Sequence, residues 1–311
     1  MEKTSLDNFL KLIGFQNISF DDFWILGNAT SLSGDTGGKK LEFHRGPLLY
    51  ALVSFLKPKR ILEFGTGGGY STLCMAKALT DFKIDGKIYT VDRVGNNEKI
   101  SRLYQLPNDK EPRKNKISNK EIWKSIAPSE WIDKIITIRG YSGIVMDTKN
   151  FNSIDFCYID GIHTYEGTKH DFLSFLKVAS NAFSVLFDDY IDRDFYGVKE
   201  FVDKEVEPYF QLSLINADPN KDLKKFLKTE HDYGMIYFNH QSEIPAIKNY
   251  DDCDVNAFLK KYRNDDYRIR ALRYNLEKKI PFLKNIKFKF YSTNINYFIF
   301  ISYNHILYIQ W

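Results

Sequence analysis

At 311 residues the chain can hold one large domain, or one domain with an extension. A formal charge of +4 is weak for that length and leaves no electrostatic footprint for a nucleic-acid partner, and no run of about 20 apolar residues offers a membrane span. Cys74, Cys157 and Cys253 lie far apart with no paired spacing, and residues 1–5 have no apolar signal core, so a reducing cytoplasm and no metal–thiolate site are expected.

Residues 6–13 place Leu6, Phe9, Leu10 and Ile13 on one face, as a short packing helix would. Residues 31–38 (SLSGDTGG) are small and glycine-rich. They suit a surface loop, or a mobile flap near a ligand, since flaps need hinges. Residues 46–56 read as a helix stopped by Lys57-Pro58. It delivers the chain into the stretch that organises the rest, 60–93. There Ile61 to Phe64 form a short apolar strand entering glycines. Leu73 to Leu79 suit a helix, and Val91-Asp92 end a second strand with a carboxylate. The glycine turn of such a βαβ unit can approach a ligand by backbone alone.

The nicotinamide fingerprint G-x-G-x-x-G would need glycine at position 70, where Tyr70 stands, and no P-loop Gly-Lys-Ser/Thr is present. The pattern is instead E-x-G-x-G-x-G, at Glu63, Gly65, Gly67 and Gly69. It resembles the first motif of class I S-adenosylmethionine (SAM)-dependent methyltransferases. The resemblance implies that the turn, with Thr66 and Ser71 inside it, lies against the methionine part of SAM, and that Asp92 binds the ribose hydroxyls. A carboxylate does accept two hydrogen bonds from a vicinal diol. The plainer alternative is a glycine turn that merely closes a sheet.

Between 93 and 134 lies a polar insertion. Residues 108–116 (NDKEPRKNK) are charged and breaker-rich, so a loop is expected, its lysines solvated or set to hold an anionic substrate. Residues 135–138 make a third strand ending in Arg139-Gly140-Tyr141-Ser142. Residues 153–161 make a fourth, ending in Asp160-Gly161, and Ile162-His163-Thr164-Tyr165-Glu166-Gly167 opens a helix after it. Residues 184–190 make a fifth, ending in Asp188-Asp189-Tyr190. A helix over 196–206 follows, with Val198, Phe201, Val202 and Val206 on one face. Strands over 210–215 and 233–238 form an antiparallel edge pair. Residues 255–279 read as a charged helix, and 297–309 as a terminal hairpin.

Strand-end acids face the crevice of an open α/β sheet. Asp160, Asp188 and Asp189 on neighbouring strands repel unless a cation or proton is shared, and their oxygens suit Mg²⁺ first. The D-G-x-H-x-Y-E-G and F-D-D-Y pair is similar to the group containing macrolide-sugar O-methyltransferases and cephalosporin hydroxylase-like proteins. That resemblance covers roughly 42–239. It implies a divalent metal on Asp160, Asp188 and Asp189, His163 as base, and residues beside the adenine just after the third strand, where Tyr141 and Ser142 stand. Without metal, Asp160 would hold the SAM amino group, and His163 would cap the following helix. Tyr165 and Glu166 are secondary candidates for substrate contact.

The expectation is a doubly wound, Rossmann-like α/β fold with the seven-stranded sheet of class I methyltransferases. A helical and loop segment, 1–41, precedes the SAM-dependent domain, 42–240, and an extension, 241–311, follows it. The function expected is metal-assisted methyl transfer from SAM to a hydroxyl of a sugar, glycan or secondary metabolite. Asp160 and His163 are its catalytic residues. The partner is a small molecule or glycan, with the extension either packed on the domain or forming a subunit interface. Alternatives are N-methylation, a non-catalytic SAM- or nucleotide-binding module, and an oxidoreductase.

Overall fold

The computed structural model describes residues 1–15, 21–32, 45–149, 151, 153–192, 196–216 and 234–241, and strand segments 289–292, 297–302 and 305–310. The chain divides into two units, Met1–Tyr250 and Asp251–Trp311. Most of the glycine-rich stretch at 31–38, and the helix expected over 255–279, lie outside the described residues.

The first unit is built on one sheet. Strand β1 (Glu2–Ser5) runs into helix α1 (Leu6–Leu12), whose first turn Ser5 caps by accepting from the Asn8 backbone N–H. Helices α2 (Asp21–Thr30) and α3 (Arg45–Leu56) lead to β2 (Arg60–Phe64), α4 (Tyr70–Asp81) and β3 (Lys87–Asp92). After the insertion come β6 (Ile135–Arg139), α7 (Ser142–Thr148), β7 (Ile154–Ile159), α8 (Tyr165–Leu176) and β8 (Ala179–Tyr190). Helix α9 (Val198–Phe201) continues as a π-helical turn, Val202–Val206, and strands β9 (Ser213–Asn216) and β10 (Gly234–His240) close the unit. The four apolar residues expected to share a face at 198–206 are all buried.

Strand order is β1-β9-β10-β8-β7-β2-β3-β6. Strand β10 runs antiparallel to β8 and β9, and the other pairs are parallel. The chain leaves β2 to one side for β3 and β6, then returns to its other side for β7 and β8. The crevice where ligands bind such sheets therefore opens at the carboxyl ends of β2 and β7. Apolar side chains of α3, α4, β2 and β7 (Leu48, Leu52, Leu79, Ile61, Phe156) fill one buried cluster. Phe172 of α8 meets Phe187, Phe201, Phe210 and Phe238 in an aromatic one.

Two expectations change. The sheet has eight strands rather than seven, because Glu2–Ser5 pairs in parallel with β9. The β9–β10 pair is antiparallel but is not the sheet's edge, and part of 1–41 belongs to the sheet. Four mostly exposed polar residues give no alternation by which to recognise that strand. The insertion, too, is a loop only over 108–112, and residues 113–116 are strand. Strands β4 (Ile100–Tyr104) and β5 (Arg113–Ile117) form a hairpin, and Arg113 pairs with Asp109 across its turn. Helix α5 (Asn119–Ile126) and the short α6 (Ser129–Ile132) follow. A capping box starts α5, the Ser118 hydroxyl accepting from the Glu121 N–H while the Glu121 carboxylate accepts from the Ser118 N–H. Ile122 and Trp123 bury its inner face against Tyr70 and Leu73 of α4.

The second unit shows a three-stranded antiparallel sheet, β11 (Lys289–Ser292), β12 (Tyr297–Ser302) and β13 (His305–Gln310). Strands β12 and β13 form the terminal hairpin, in register Ser302 to His305. No described helix is long and apolar enough to cross a membrane.

Trp123 of the insertion is fully buried against the sheet domain, and it also donates its indole N–H to the Gly68 carbonyl at 2.8 Å. Trp123→Ala should cost about 3–5 kcal/mol in urea unfolding. A loss under about 1 kcal/mol would mean that the insertion folds independently of the domain.

Candidate active site

The site begins where β2 runs into its glycine turn. Gly65 has φ 93°, and a Cβ there would lie 1.9 Å from the Asp160 carbonyl oxygen. The first turn and the end of β7 thus touch backbone to backbone. Gly67 has φ 53°, but a Cβ there would meet nothing within 4 Å. Its conformation favours glycine, and its outer side is open to a ligand. Gly69 caps α4.

The turn is held on both sides of its peptides. The Gly67 N–H donates to Asp92 Oδ2 at 2.9 Å, and the Val94 N–H donates to Asp92 Oδ1 at 2.8 Å. The Gly67 carbonyl accepts from Arg102 at 3.0 Å and from Asn119 Nδ2 at 2.9 Å. Glu63 is wholly buried beneath. Its oxygens accept from the Ser71 and Thr72 hydroxyls, each at 2.5 Å. Thr66 shares a hydrogen bond with Thr90 at 2.5 Å. Glu63 and Ser71, expected at the cofactor, therefore bond to each other inside the fold. Thr66 and Asp92 border a narrow cavity with Asn96, Asn119 and Ile138. The residues fit SAM: an open glycine edge, a carboxylate with lone pairs to spare, and buried acceptors on Asn96 and Asn119 without partners among the described residues. Ser142 donates its hydroxyl to the buried Asp171 carboxylate. Tyr141 caps the same helix, α7.

The strand-end acids are not equivalent. Asp188 is buried, and Oδ2 accepts from Arg45 and from Tyr158, both at 2.6 Å, while Oδ1 accepts from the Asp189 N–H. Arg45 and Tyr158 also reach Asp160 Oδ2, at 3.5 and 3.4 Å. The cation expected between these acids is thus supplied in part by a guanidinium. Asp189 takes φ 55°, a left-handed conformation that costs a non-glycine residue about 1–3 kcal/mol. Its Oδ2 lies 2.5 Å from His163 Nδ1. Ligand atoms of Asp160, His163 and Asp189 all fall within 4.8 Å of one another. This donor set fits a divalent cation. It differs from the expected acid triad because Asp188 is turned toward Arg45 and His163 stands in its place, and an imidazole widens the candidates from Mg²⁺ to Mn²⁺ or Zn²⁺.

Burial, then the adjacent Asp188, pushes the Asp160 carboxyl well above the usual carboxylate range, against the pull of Arg45. Burial alone would lower the His163 pKa. Its bonded partner Asp189, with Asp160 and Asp188, outweighs burial and carries it up to about 9. With these carboxylates uncompensated the ring is a cation at neutral pH. His163 is 32% exposed, and Tyr196 packs over it with ring centroids 5.1 Å apart. The Tyr165 hydroxyl donates to Glu205, which also takes Lys169 at 2.9 Å.

Arg45, Tyr158, Arg102, Asn119 and Trp123 belong to no motif singled out in the sequence. Three of them had a local signal. Tyr158 lies two residues before Asp160, and S-x-x-E at Ser118 announces the helix that carries Asn119 and Trp123. Arg45 lies 115 and 143 residues from its partners, and nothing in the sequence joins them.

Residues 62–190 match a family described as a methyltransferase domain. The uncharacterized protein y4gI of Sinorhizobium fredii is 24% identical over 199 residues, 63% of this chain, and the chain spans only 19% of that relative's length. A putative O-methyltransferase from Klebsiella pneumoniae is 17% identical over 76% of this chain and 96% of its own, with a TM-score of 0.48. The Bacillus cereus O-methyltransferase in complex with SAH (S-adenosylhomocysteine) is 14% identical, with the same coverages and a TM-score of 0.47. TomG from Streptomyces achromogenes, an O-methyltransferase involved in tomaymycin synthesis solved in complex with SAM, is 17% identical, again over 76% and 96%, at 0.47. Scores at this level leave the strand order to speak for itself. The stretch that matches the methyltransferase-domain family runs from β2 through β8.

Glu63 supplies a test of this interior. Burial pushes its carboxyl up to about 7, against hydrogen bonds from Ser71, Thr72 and Thr90. The folded state then holds a proton that the unfolded chain releases near 4.5. Its contribution is full below 4.5 and declines as pH rises to 7, by roughly 3 kcal/mol at about 1.4 kcal/mol per pH unit. Glu63→Gln should remove that decline from urea-derived stabilities measured between pH 4.5 and 7.5. Parallel wild-type and variant curves would show Glu63 to be ionised throughout.

Proposed function

We propose that the chain is a SAM-dependent O-methyltransferase acting on a hydroxyl of a sugar, glycan or secondary metabolite, with assistance from a divalent cation. One observation carries this: Gly65 of the glycine turn backs directly on Asp160 of the Asp160–His163–Asp189 cluster. The turn suited to SAM and the cluster suited to an acceptor are neighbours through a single backbone contact.

Bound SAM supplies a methyl group on a sulfonium, and a cation on Asp160 and Asp189 would polarise the acceptor hydroxyl and offset their charge. Mg²⁺ is the first candidate, and Asp188 joins the set only if it leaves Arg45. Asp92 and the Gly67 edge orient the cofactor. Asp160 and Asp189 orient the acceptor for in-line attack. The acceptor proton passes to His163 Nε2, because Nδ1 is held by Asp189. His163 serves as that base once the carboxylates around it are compensated.

The domain is taken to run from 42 to 240. Residues 241–311 are an extension for assembly rather than chemistry, and action on a small molecule in the cytoplasm, without nucleic acid, completes the reading. Chain composition and unpaired cysteines support it.

Calorimetry with SAM and NAD, then labelled SAM on a panel of sugars and glycans with and without EDTA, tests the proposal. SAM should bind and NAD should not, and chelation should abolish transfer with little change in SAM affinity. His163→Ala should slow transfer by roughly 10²–10⁴-fold. If that variant instead loses cation binding, His163 is a ligand and not the base. Without cation, residual turnover should rise with pH through about 9, as His163 gives up its proton. Full transfer in EDTA removes the metal from the mechanism. NAD binding without SAM binding removes the function.

A further inference from the structure

The insertion between β3 and β6 reaches into the cofactor crevice. Helix α5 opens with Asn119, only 3% exposed, whose Nδ2 donates to the Gly67 carbonyl. A carbonyl can only accept, so the amide nitrogen must face Gly67 and the amide oxygen must face elsewhere. That oxygen is buried and has no hydrogen-bond partner among the described residues. It belongs to a side chain that borders the narrow cavity with Thr66, Asp92 and Asn96. Asn96 Oδ1 in the same lining is likewise buried without a partner among the described residues.

Buried polar atoms without partners are rare in folded proteins, and two around one cavity mark a place where a ligand completes the network. The sign of that network is informative. Asp92, Asn96 and Asn119 all present acceptors, so the ligand must bring several donors. Both Asp92 oxygens are already anchored by backbone N–H groups, each keeping a lone pair. A vicinal diol, with two hydroxyl donors on adjacent carbons, matches these acceptors in sign.

We infer that Asn119 is a cofactor-binding residue: its side-chain oxygen accepts a hydrogen bond from a ribose hydroxyl of SAM beside Asp92, while its amide nitrogen holds the glycine turn. This deepens the SAM-dependent reading and rests on it. One side chain then couples the shape of the turn to recognition of the sugar, and it comes from an inserted helix and not from the βαβ unit.

Calorimetry on the full chain with SAH and its 2′-deoxy and 3′-deoxy analogues reads the contact. Asn119→Ala should weaken SAH binding about 3–10-fold, the range of one neutral hydrogen bond. The same variant should weaken binding of one deoxy analogue, the one lacking the bonded hydroxyl, by less than about 2-fold. Equal losses for SAH and both analogues would reduce Asn119 to a support for Gly67 and overturn the inference. Unchanged SAH affinity in the variant would do the same. A crystal structure of the wild-type protein with SAH answers without any variant: Asn119 Oδ1 farther than about 3.5 Å from both ribose hydroxyls overturns it. If the wild-type protein binds no SAH, the SAM-dependent reading falls first, and this inference with it.

Discussion

Everything at the crevice depends on one close approach, that of the Gly65 peptide to the Asp160 carbonyl. Parallel strands β2 and β7 are hydrogen-bonded neighbours up to Phe64 and Ile159. Beyond that pair, room at their carboxyl ends exists only because position 65 has no side chain. The approach brings the start of the glycine turn to within one residue of the acid that ends β7. It also sets the angle at which the turn leaves the sheet. A larger residue there would push the two loops apart and separate the binding halves of the site.

The turn itself is over-determined. Its N–H at Gly67 is tied to β3 through Asp92, and its carbonyls at Gly67 and Gly68 are tied to the insertion through Arg102, Asn119 and Trp123. Below it, Glu63 spans from β2 to the first turn of α4 through Ser71 and Thr72. Its carboxyl group satisfies two hydroxyls in a dry interior. The acid of the E-x-G-x-G-x-G pattern thus has a structural task that motif reading alone assigns to the ligand.

The α/β alternation and the strand-end position of the acids were legible, because each is written in local runs: apolar strands, glycine corners, helices of period 3.6. Strand β1 was not, since Glu2–Ser5 is polar and pairs with a segment more than 200 residues away. The β4–β5 hairpin was hidden by lysines that look like a solvated loop and do lie on a solvated strand. At the site, Asp160 and Asp189 were readable as strand-end residues and His163 as part of the turn that follows. The role of Asp188 was not, because its partner Arg45 heads a helix in a different part of the chain, and residue type alone does not say which of two adjacent acids turns inward.

Arg45 has a consequence for how the protein comes into being. Two carboxylates meeting in a closed interior would ordinarily hold a fold open until a counter-charge arrived. Here the counter-charge is covalently part of the chain, lying 2.6 Å from Asp188, with the Tyr158 hydroxyl completing the arrangement. The polypeptide can therefore leave the ribosome and reach its final form without drawing on the cell's ion supply. Folding and any later loading of the neighbouring cluster are thereby uncoupled, so the interior closes around its own charge pair first.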